Sequence, residues 1–440
     1  MNPIRLISIA AATFAAGFAS FNAAAVEPTQ DNLKYANYYF AYPYPEKPLP
    51  ALTGTPKGYE PFHMEHYGRH GSRWHIGEWV YRQPIDLLRP AERNNKLTER
   101  GRQLMAQLRK TEKQSRKRSG ELTQLGAEQH RWIARRMTKN FPEIFKGNSR
   151  VDARSTEVIR CILSMDNELR ELAAYNPNLD ITSDASASTM YYLNYTDTVA
   201  DRLTNLPEAS AAVKKAKKAF PKDLSFLSEI ISDEKFASDS IKGNDLAGAL
   251  MRISTNSQSL DEPTPIWDLI SSQNLVNYAG RGDIDWFLRY GNSDLTEGSG
   301  PMRARYLLRN IIESADTSVM RRSPSANMRF GHDVVVVPLT TLMDLNGYGR
   351  KINDFTKVDD FWNLYDITPM AANIQMIFYR PKGGKAYTPD DVLVKVLLNE
   401  KETTLPATPV SGPYYRWSDV RKVYLDRLGE ERYPSDDSDY

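Results

Sequence analysis

Strand signals stand at the two ends of this chain, and the long middle lacks them. "GYEPFHMEHYGRHG" at residues 58–71 alternates Phe62, Met64 and His66 ahead of two glycines, which predicts a strand running into a loop at Gly68 to Gly71. A strand series returns only at "NMRFGHDVVVVPL", then at "ANIQMIFYR" and "DVLVKVLLNEK", where a glycine-rich connection at 381–386 predicts a hairpin. Between these ends, residues 177–320 read as polar helices, closed by "GPMRARYLLRNIIESAD" with Ser299 and Pro301 as start signals. Earlier helices are predicted at "LTERGRQLMAQLRKTEK", at "LTQLGAEQHRWIARRMTKNF" with Thr123 as N-cap and Leu125, Trp132, Ile133 and Met137 as its stripe, and at "RSTEVIRCILSMDNELREL" with Val158, Ile162 and Met165 spaced for burial. The expected architecture is α/β: a mostly parallel central sheet flanked by helices, built from residues 26–176 and 321–435, with an all-helical cap inserted at 177–320.

Charge excludes a bulk polycation. The chain carries 57 Lys+Arg against 55 Asp+Glu, a net +2, and the basic run Lys110, Lys113, Arg116, Lys117, Arg118 has no interleaved aromatics, so it reads as a solvated helix end and no nucleic-acid partner is expected. Residues 1–25, with Arg5 before an apolar run and Ala23-Ala24-Ala25 after it, read as a signal peptide; the expected location is periplasmic or extracellular. No later run approaches the roughly 20 apolar residues of a membrane span, so no membrane anchor is expected. The single cysteine, Cys161, permits no intrachain disulfide. The Pro- and Tyr-rich entry at 26–58 reads as extended, and the acidic tail "PSDDSDY" as disordered.

Chemistry concentrates in "HMEHYGRHGSRWH", residues 63–75, which holds four of the six histidines. A zinc site is disfavoured: the H-E-x-x-H spacing is absent, His63 and His66 would face opposite ways on a strand, and two arginines repel a cation. Arginine beside histidine points to an anion instead. Arg69 and Arg73 bracketing His70 make a phosphate cradle, the glycines allow a tight turn, and a neutral imidazole inside it can attack phosphorus. On these residues alone, a surface loop without chemistry stays open.

"RHGSR" resembles the R-H-G-x-R signature of the histidine phosphatase superfamily, in the branch of histidine acid phosphatases and phytases. Three more segments are similar and in order: "GELTQLGAEQH" (120–130), "RSTEVIRCILSM" (154–165) and "RFGHD" (329–333). The C-terminal "PMAANIQMIFYR" and "VLVKVLLNEKETTLP" also look like inositol polyphosphate phosphatases of this branch. The resemblance implies His70 as nucleophile, Arg69, Arg73, Arg160 and His332 as phosphate ligands, and Asp333 as proton donor, with no metal and no cofactor. It implies small-molecule phosphate esters as partners, inositol polyphosphates such as phytate first among them. Arg154 rivals Arg160 for the phosphate. His66 and His75 read as packing or rim residues, His130 as solvated or behind the site, and Cys161 as buried. Trp74, His75 and Ile76 replace the family's usual aromatic, Pro and Thr, which predicts a different outer rim. "VVVV" at 334–337 has strand propensity, whereas the family begins a helix there. Rival functions are a broad acid or sugar-phosphate phosphatase, and a catalytically silent phosphate-ester binding protein, which would need the arginines but neither His70 nor Asp333.

Overall fold

The strand expected at the opening motif is β1 (Tyr59–Arg69), and it lies near the middle of the molecule's one nine-stranded sheet. The computed structural model describes residues 33–42, 49–260, 269–383, 386–430 and 433. The signal peptide expected at 1–25 and the tail at 434–440 lie outside the described residues. The other strands are β2 (Arg150–Ser155), β3 (Asp180–Asp184), β4 (Ser325–Gly331), β5 (Asn373–Pro381), β6 (Leu393–Leu398), β7 (Lys401–Glu402), β8 (Pro409–Ser411) and β9 (Tyr414–Arg416). Their order is β3-β2-β4-β1-β5-β6-β9-β8, with β7 on β6. Pairing is parallel from β3 to β1 and antiparallel from β1 onward, so the α/β sheet is mixed, with its parallel half carrying the opening motif. The β5–β6 pair is the expected hairpin.

Helices of ten residues or more are α1 (Trp79–Arg93), α2 (Glu99–Ser115), α3 (Gln124–Asn140), α4 (Ile159–Tyr175), α5 (Pro207–Ala216), α6 (Gly243–Ser257), α7 (Ser272–Tyr290), α8 (Arg305–Arg321), α9 (Asp333–Leu342) and α10 (Trp417–Leu428). The sheet is covered on both faces, and alternation along its strands explains how. Ile374, Met376 and Phe378 of β5 with Val394 and Val396 of β6 join the cluster under α8, α9 and α10. Ile377, Tyr379, Leu393 and Leu397 turn the other way, into the cluster with Ile133 and Met137 of α3 and Leu169 and Leu172 of α4. In β1 the regular alternation breaks: a bulge between Pro61 and His63 sends Phe62 to the first cluster while Met64 joins the second. Among the described residues, no helix is long and apolar enough to cross a membrane.

Two expectations change and one open choice is decided. Residues 180–184, assigned to the helical insertion, are β3, the sheet's edge strand; its "DITSD" is almost wholly exposed and held by backbone pairing, so no side-chain pattern betrays it. Residues 334–337 are helical: α9 starts at Asp333 and buries Val335, Val336 and Val337, because the packing of this turn on the core outweighs β propensity. The entry segment is not extended throughout, since Lys34–Tyr39 forms a 3-10 helix with buried Asn37 bonded to the Ala279 carbonyl and Asp283 of α7.

The parallel half is tied by a buried ion pair. Glu65 of β1 and Arg329 of β4 are 1% and 4% exposed, with Nη1 to Oε2 at 2.6 Å. His63, Ser314 and Asn327 complete the carboxylate's shell at 2.9, 2.9 and 2.7 Å. Burial disfavours the Glu65 charge, but Arg329 and then His63 outweigh it and hold the carboxyl below its ordinary value. Its stabilisation is therefore present above the unfolded carboxyl's pKa and is lost as pH falls through the lower, folded value. Replacing Glu65 by Leu strands the arginine charge, and should cost about 3–5 kcal/mol. The check is the urea unfolding midpoint at neutral pH, where a wild-type value would remove this ion pair from the account.

Candidate active site

The three central parallel strands end level with one another: Arg69 stands opposite Gly331, and Ser155 opposite Phe330. The residues that follow are His70, His332 and Thr156, so their side chains leave the sheet together at its carboxyl edge, where open α/β sheets bind ligands. Backbone bonds fix the loop after β1. Arg69 N–H donates to the Ala372 carbonyl at 2.7 Å, His70 N–H to Gly331 at 3.0 Å, and Ala371 N–H to His70 at 3.0 Å.

The segment "LTQLGAEQ" clamps that loop from α3. A Cβ on Gly71 would lie 2.3 Å from the Gly126 carbonyl oxygen, and one on Gly126 would lie 2.2 Å from that of Ser72. Backbone therefore rests on backbone, and only glycine fits at either place. Thr123 caps α3 by accepting from Gly126 N–H, while its own N–H and hydroxyl donate to the Ser72 carbonyl at 2.9 and 3.1 Å. Gln129 Oε1 accepts from Ser72 N–H at 2.8 Å, and Ser164 Oγ of α4 accepts from Gly71 N–H at 3.1 Å.

His70 is 1% exposed, with Nδ1 2.9 Å from the Gly71 carbonyl. Nδ1 must donate there, which leaves the lone pair on Nε2. Burial, followed by Arg69, Arg73, Arg160 and His332, holds its pKa well below the usual 6.5, so the ring is neutral. Arg69 is fully buried: Nη1 donates to the carbonyls of Tyr38 and Thr368 at 2.6 and 2.7 Å, and Nη2 to Asp333 Oδ2 at 2.6 Å. Arg73 is 4% exposed, donates to the Trp74 carbonyl and lies 5.5 Å from the Tyr39 ring centroid. Arg160, in the first turn of α4, is half-buried and its Nε has no partner among the described residues. A Cβ on Gly120 would meet its Nη1 at 3.2 Å and Ile76 at 3.8 Å, which puts the guanidinium beside the loop that follows "RHGSR". The rival Arg154 is bound to Asp152 at 3.1 Å, back on β2.

His332 is the N-cap of α9, and its ring lies 5.8 Å from that of His70. Its Nε2 is 3.2 Å from Thr156 Oγ1, and burial, with Arg160 opposing Asp333, lowers its pKa to about 4. Asp333 opens α9. Burial raises its pKa, but Arg69, Arg73 and His332 together pull it below 3.8, so it is ionised in the free protein. Three guanidiniums against one carboxylate leave this centre with a surplus of two positive charges, the complement of a phosphate dianion.

Of the two alternatives for His130, solvated or behind the site, the structure excludes the first: it is fully buried with Nδ1 2.6 Å from Glu168 Oε1. The inward faces of α3 and α4 carry Gln129, His130, Ser164 and Glu168, whereas Leu125, Trp132, Val158 and Ile162 are only partly buried. Apolar spacing misses these faces because they hold a polar loop. Trp74 and His75 are buried too, so they do not form an outer rim. His75 is fixed between Tyr39 OH at 3.1 Å and the Arg252 carbonyl at 2.8 Å. Cys161 is buried as expected, 3.3 Å from the Gly331 carbonyl. Tyr38, Tyr39 and Thr368 escaped the sequence reading, since two of them act on Arg69 through backbone carbonyls that any residue could supply.

The model of the histidine phosphatase superfamily (branch 2) matches residues 69–399. Among solved structures, the chain is similar to the Bifidobacterium longum multiple inositol polyphosphate phosphatase in its apo form, with TM-score 0.74 at 18% identity over 89% of this chain and 97% of that one. The same enzyme in complex with inositol hexasulfate gives 0.73 at 19% identity over the same shares. The phytase from D. castellii gives 0.63 at 15% identity over 92% of this chain and 86% of that one. These likenesses establish the shared fold. No curated protein matches the chain.

Two outcomes follow from the geometry. Gly126→Ala should cut turnover of p-nitrophenyl phosphate by at least about tenfold, because the loop must shift to admit the methyl group; near-wild-type kcat with a wild-type melting temperature would contradict the clamp. Since His70 is neutral in the free protein until pH falls well below 6.5, kcat/KM corrected for substrate ionisation should show no acid limb near that pH. A limb at 6.5 that moves when Arg160 is replaced by Gln would contradict the neutral ring.

Proposed function

The chain belongs to the histidine phosphatase superfamily (branch 2) and is a phosphoric monoester hydrolase; we propose that it is exported and removes phosphate from inositol polyphosphates through a phosphohistidine on His70. The observation that carries the chemistry is a neutral, fully enclosed imidazole whose Nδ1 is occupied by the Gly71 carbonyl, with Arg69, Arg73 and Arg160 as its charged neighbours.

His70 Nε2 attacks phosphorus and the ester P–O bond breaks. Arg69, Arg73, Arg160 and His332 hold the three non-bridging oxygens, whose charge would otherwise repel the nucleophile. Asp333 delivers its proton to the departing alkoxide. A dianionic ester beside Asp333 competes for Arg69 and raises the carboxyl's pKa, so the proton is taken up with the substrate at acid pH. Water then attacks the phosphohistidine, Asp333 accepts the water's proton, and inorganic phosphate leaves with His70 restored. The α9 N-terminus, capped by His332, adds a favourable dipole toward the anion.

The substrate class rests on charge outside the centre. A cavity of about 340 Å³ adjoins it across Tyr38, whose carbonyl holds Arg69, and its lining includes Lys217, Lys222, Arg252 and Arg281 against Asp285. A substrate with several phosphates would use those cations, and a simple monoester would not. The similarity to an inositol polyphosphate phosphatase and a phytase supports the same reading. A broad acid phosphatase is favoured by one observation: Ile76 and Ile159, 58% and 74% exposed, stand beside Arg160 and would suit an apolar ester.

Phosphate release from phytate, glucose 1-phosphate and p-nitrophenyl phosphate decides between them, measured across acid pH with and without EDTA. Wild type should prefer phytate and ignore EDTA, and His70→Ala should be inactive on all three. Asp333→Asn should lose roughly 10²–10⁴-fold on the alkyl esters and less on p-nitrophenyl phosphate, whose leaving group needs little protonation. Undiminished turnover by His70→Ala would remove the phosphohistidine, and cleavage of the simple esters with phytate untouched would establish the broad phosphatase.

A further inference from the structure

A second basic concavity shares a wall with the cavity just described. The groove, of about 740 Å³, runs between α5 and α7 and is lined by Lys214, Lys217, Lys218, Arg281 and Arg289 against a single carboxylate, Asp285. Its surplus of four positive charges is twice the net +2 of the whole chain. On α7 the residues Arg281, Asp285, Leu288 and Arg289 fall at helical spacing on one face. From the opposite wall, Lys214 lies in the last turn of α5, and Lys217 and Lys218 follow in the next turn.

These charges are not consumed internally. Lys217 pairs with Asp285, but among the described residues Arg281 donates to the carbonyls of Lys217 and Phe220, at 3.2 and 3.1 Å, and meets no carboxylate. Lys214, Lys218 and Arg289 form no ion pair with the described residues and are exposed. Neighbouring Lys222 senses the excess: its ammonium is pushed below the ordinary value by burial first and then by Arg281, with Arg252 and Lys217 adding to the effect. The groove and the cavity behind Tyr38 share Lys217, Pro221, Arg281 and Asp285 as a common wall. A ligand in the groove would thus lie one wall from the cavity that adjoins the catalytic centre.

We propose that this groove is a second, non-catalytic anion site that holds a multiply phosphorylated small molecule of the substrate's own class. The proposal rests on the reading of the enzyme as one for polyphosphorylated esters. Five cations on two facing walls match several phosphates around a small ring, and a lone phosphate would engage only a fraction of them. Because most of the charge is solvent-exposed, affinity there falls steeply with ionic strength. The site captures polyanion from solution and raises its concentration beside the cavity, an effect on association rather than on the chemical step.

The test is calorimetric titration with myo-inositol hexakissulfate at low salt, on wild type and on the triple variant Lys214→Gln, Lys218→Gln, Arg289→Gln, with the pair Lys214→Gln, Lys218→Gln as a milder second variant. Wild type should bind two anions per chain and the triple variant one; the pair should weaken the second site at least about tenfold. Turnover of p-nitrophenyl phosphate should stay within about twofold of wild type in both variants, since this simple monoester reports the catalytic centre alone. One anion per wild-type chain, or two per triple-variant chain, would overturn the proposal. Failure to cleave phytate would instead remove the substrate reading, and the anion count would remain a separate result.

Discussion

A guanidinium without solvent contact stands where β1 leaves the sheet, and the arrangement of the catalytic centre depends on it. Arg69 joins three parts of the chain remote in sequence: the Tyr38 carbonyl of the entry segment, the Thr368 carbonyl before β5, and Asp333 at the start of α9. Burying an arginine is costly unless each lobe of its fork is satisfied. Both terminal nitrogens are, and the same contacts set the distance between the loop that carries His70 and the helix that carries Asp333. The entry segment, which has no chemistry of its own, is thereby made part of the site.

Around that point the protein separates two tasks. Backbone geometry holds His70: Gly71 against Gly126, and Ser72 between Thr123 and Gln129, fix the course of its loop. Electrostatics tunes it, because burial and surrounding cations keep His70 neutral while the same cations keep Asp333 ionised before a substrate arrives. A ligand-free centre of this kind is charged for an anion, not yet for proton donation. In the proposed mechanism the incoming dianion supplies the missing condition by drawing on Arg69 and raising the carboxyl's affinity for a proton. In that proposed mechanism, binding and acid catalysis are linked through the Arg69–Asp333 ion pair.

The residues of the centre were legible because each belongs to a short local pattern. Arg69, His70 and Arg73 lie within five positions, Arg160 sits six residues after Arg154 in a recognisable segment, and His332 and Asp333 are adjacent. The strands β1, β4, β5 and β6 were legible for a similar reason, since each buries alternate side chains on two covered faces. What escaped was held by other means. The polar edge strand β3 pairs through backbone alone, and the inward faces of α3 and α4 bury Gln129, His130, Ser164 and Glu168, which hydrophobic spacing places in solvent. His75, conspicuous in the sequence, serves as a strut between Tyr39 and the Arg252 carbonyl.

By itself the sequence determined the class of chemistry and brought forward the residues proposed for it, because side-chain type at fixed spacing is a covalent property of the chain. Only the tertiary structure decided the protonation states and the surroundings: that His70 is neutral, that Asp333 starts ionised against Arg69, and that Arg160 rather than Arg154 adjoins the loop after "RHGSR". It likewise decided that valines 334–337 form a helix and that lysines and arginines far apart in sequence line one groove. The physical reason is common to all of these. A pKa, a helix start under competing propensities and a local charge surplus depend on which groups lie within a few ångströms and how much water is excluded, and that distance is set by the fold.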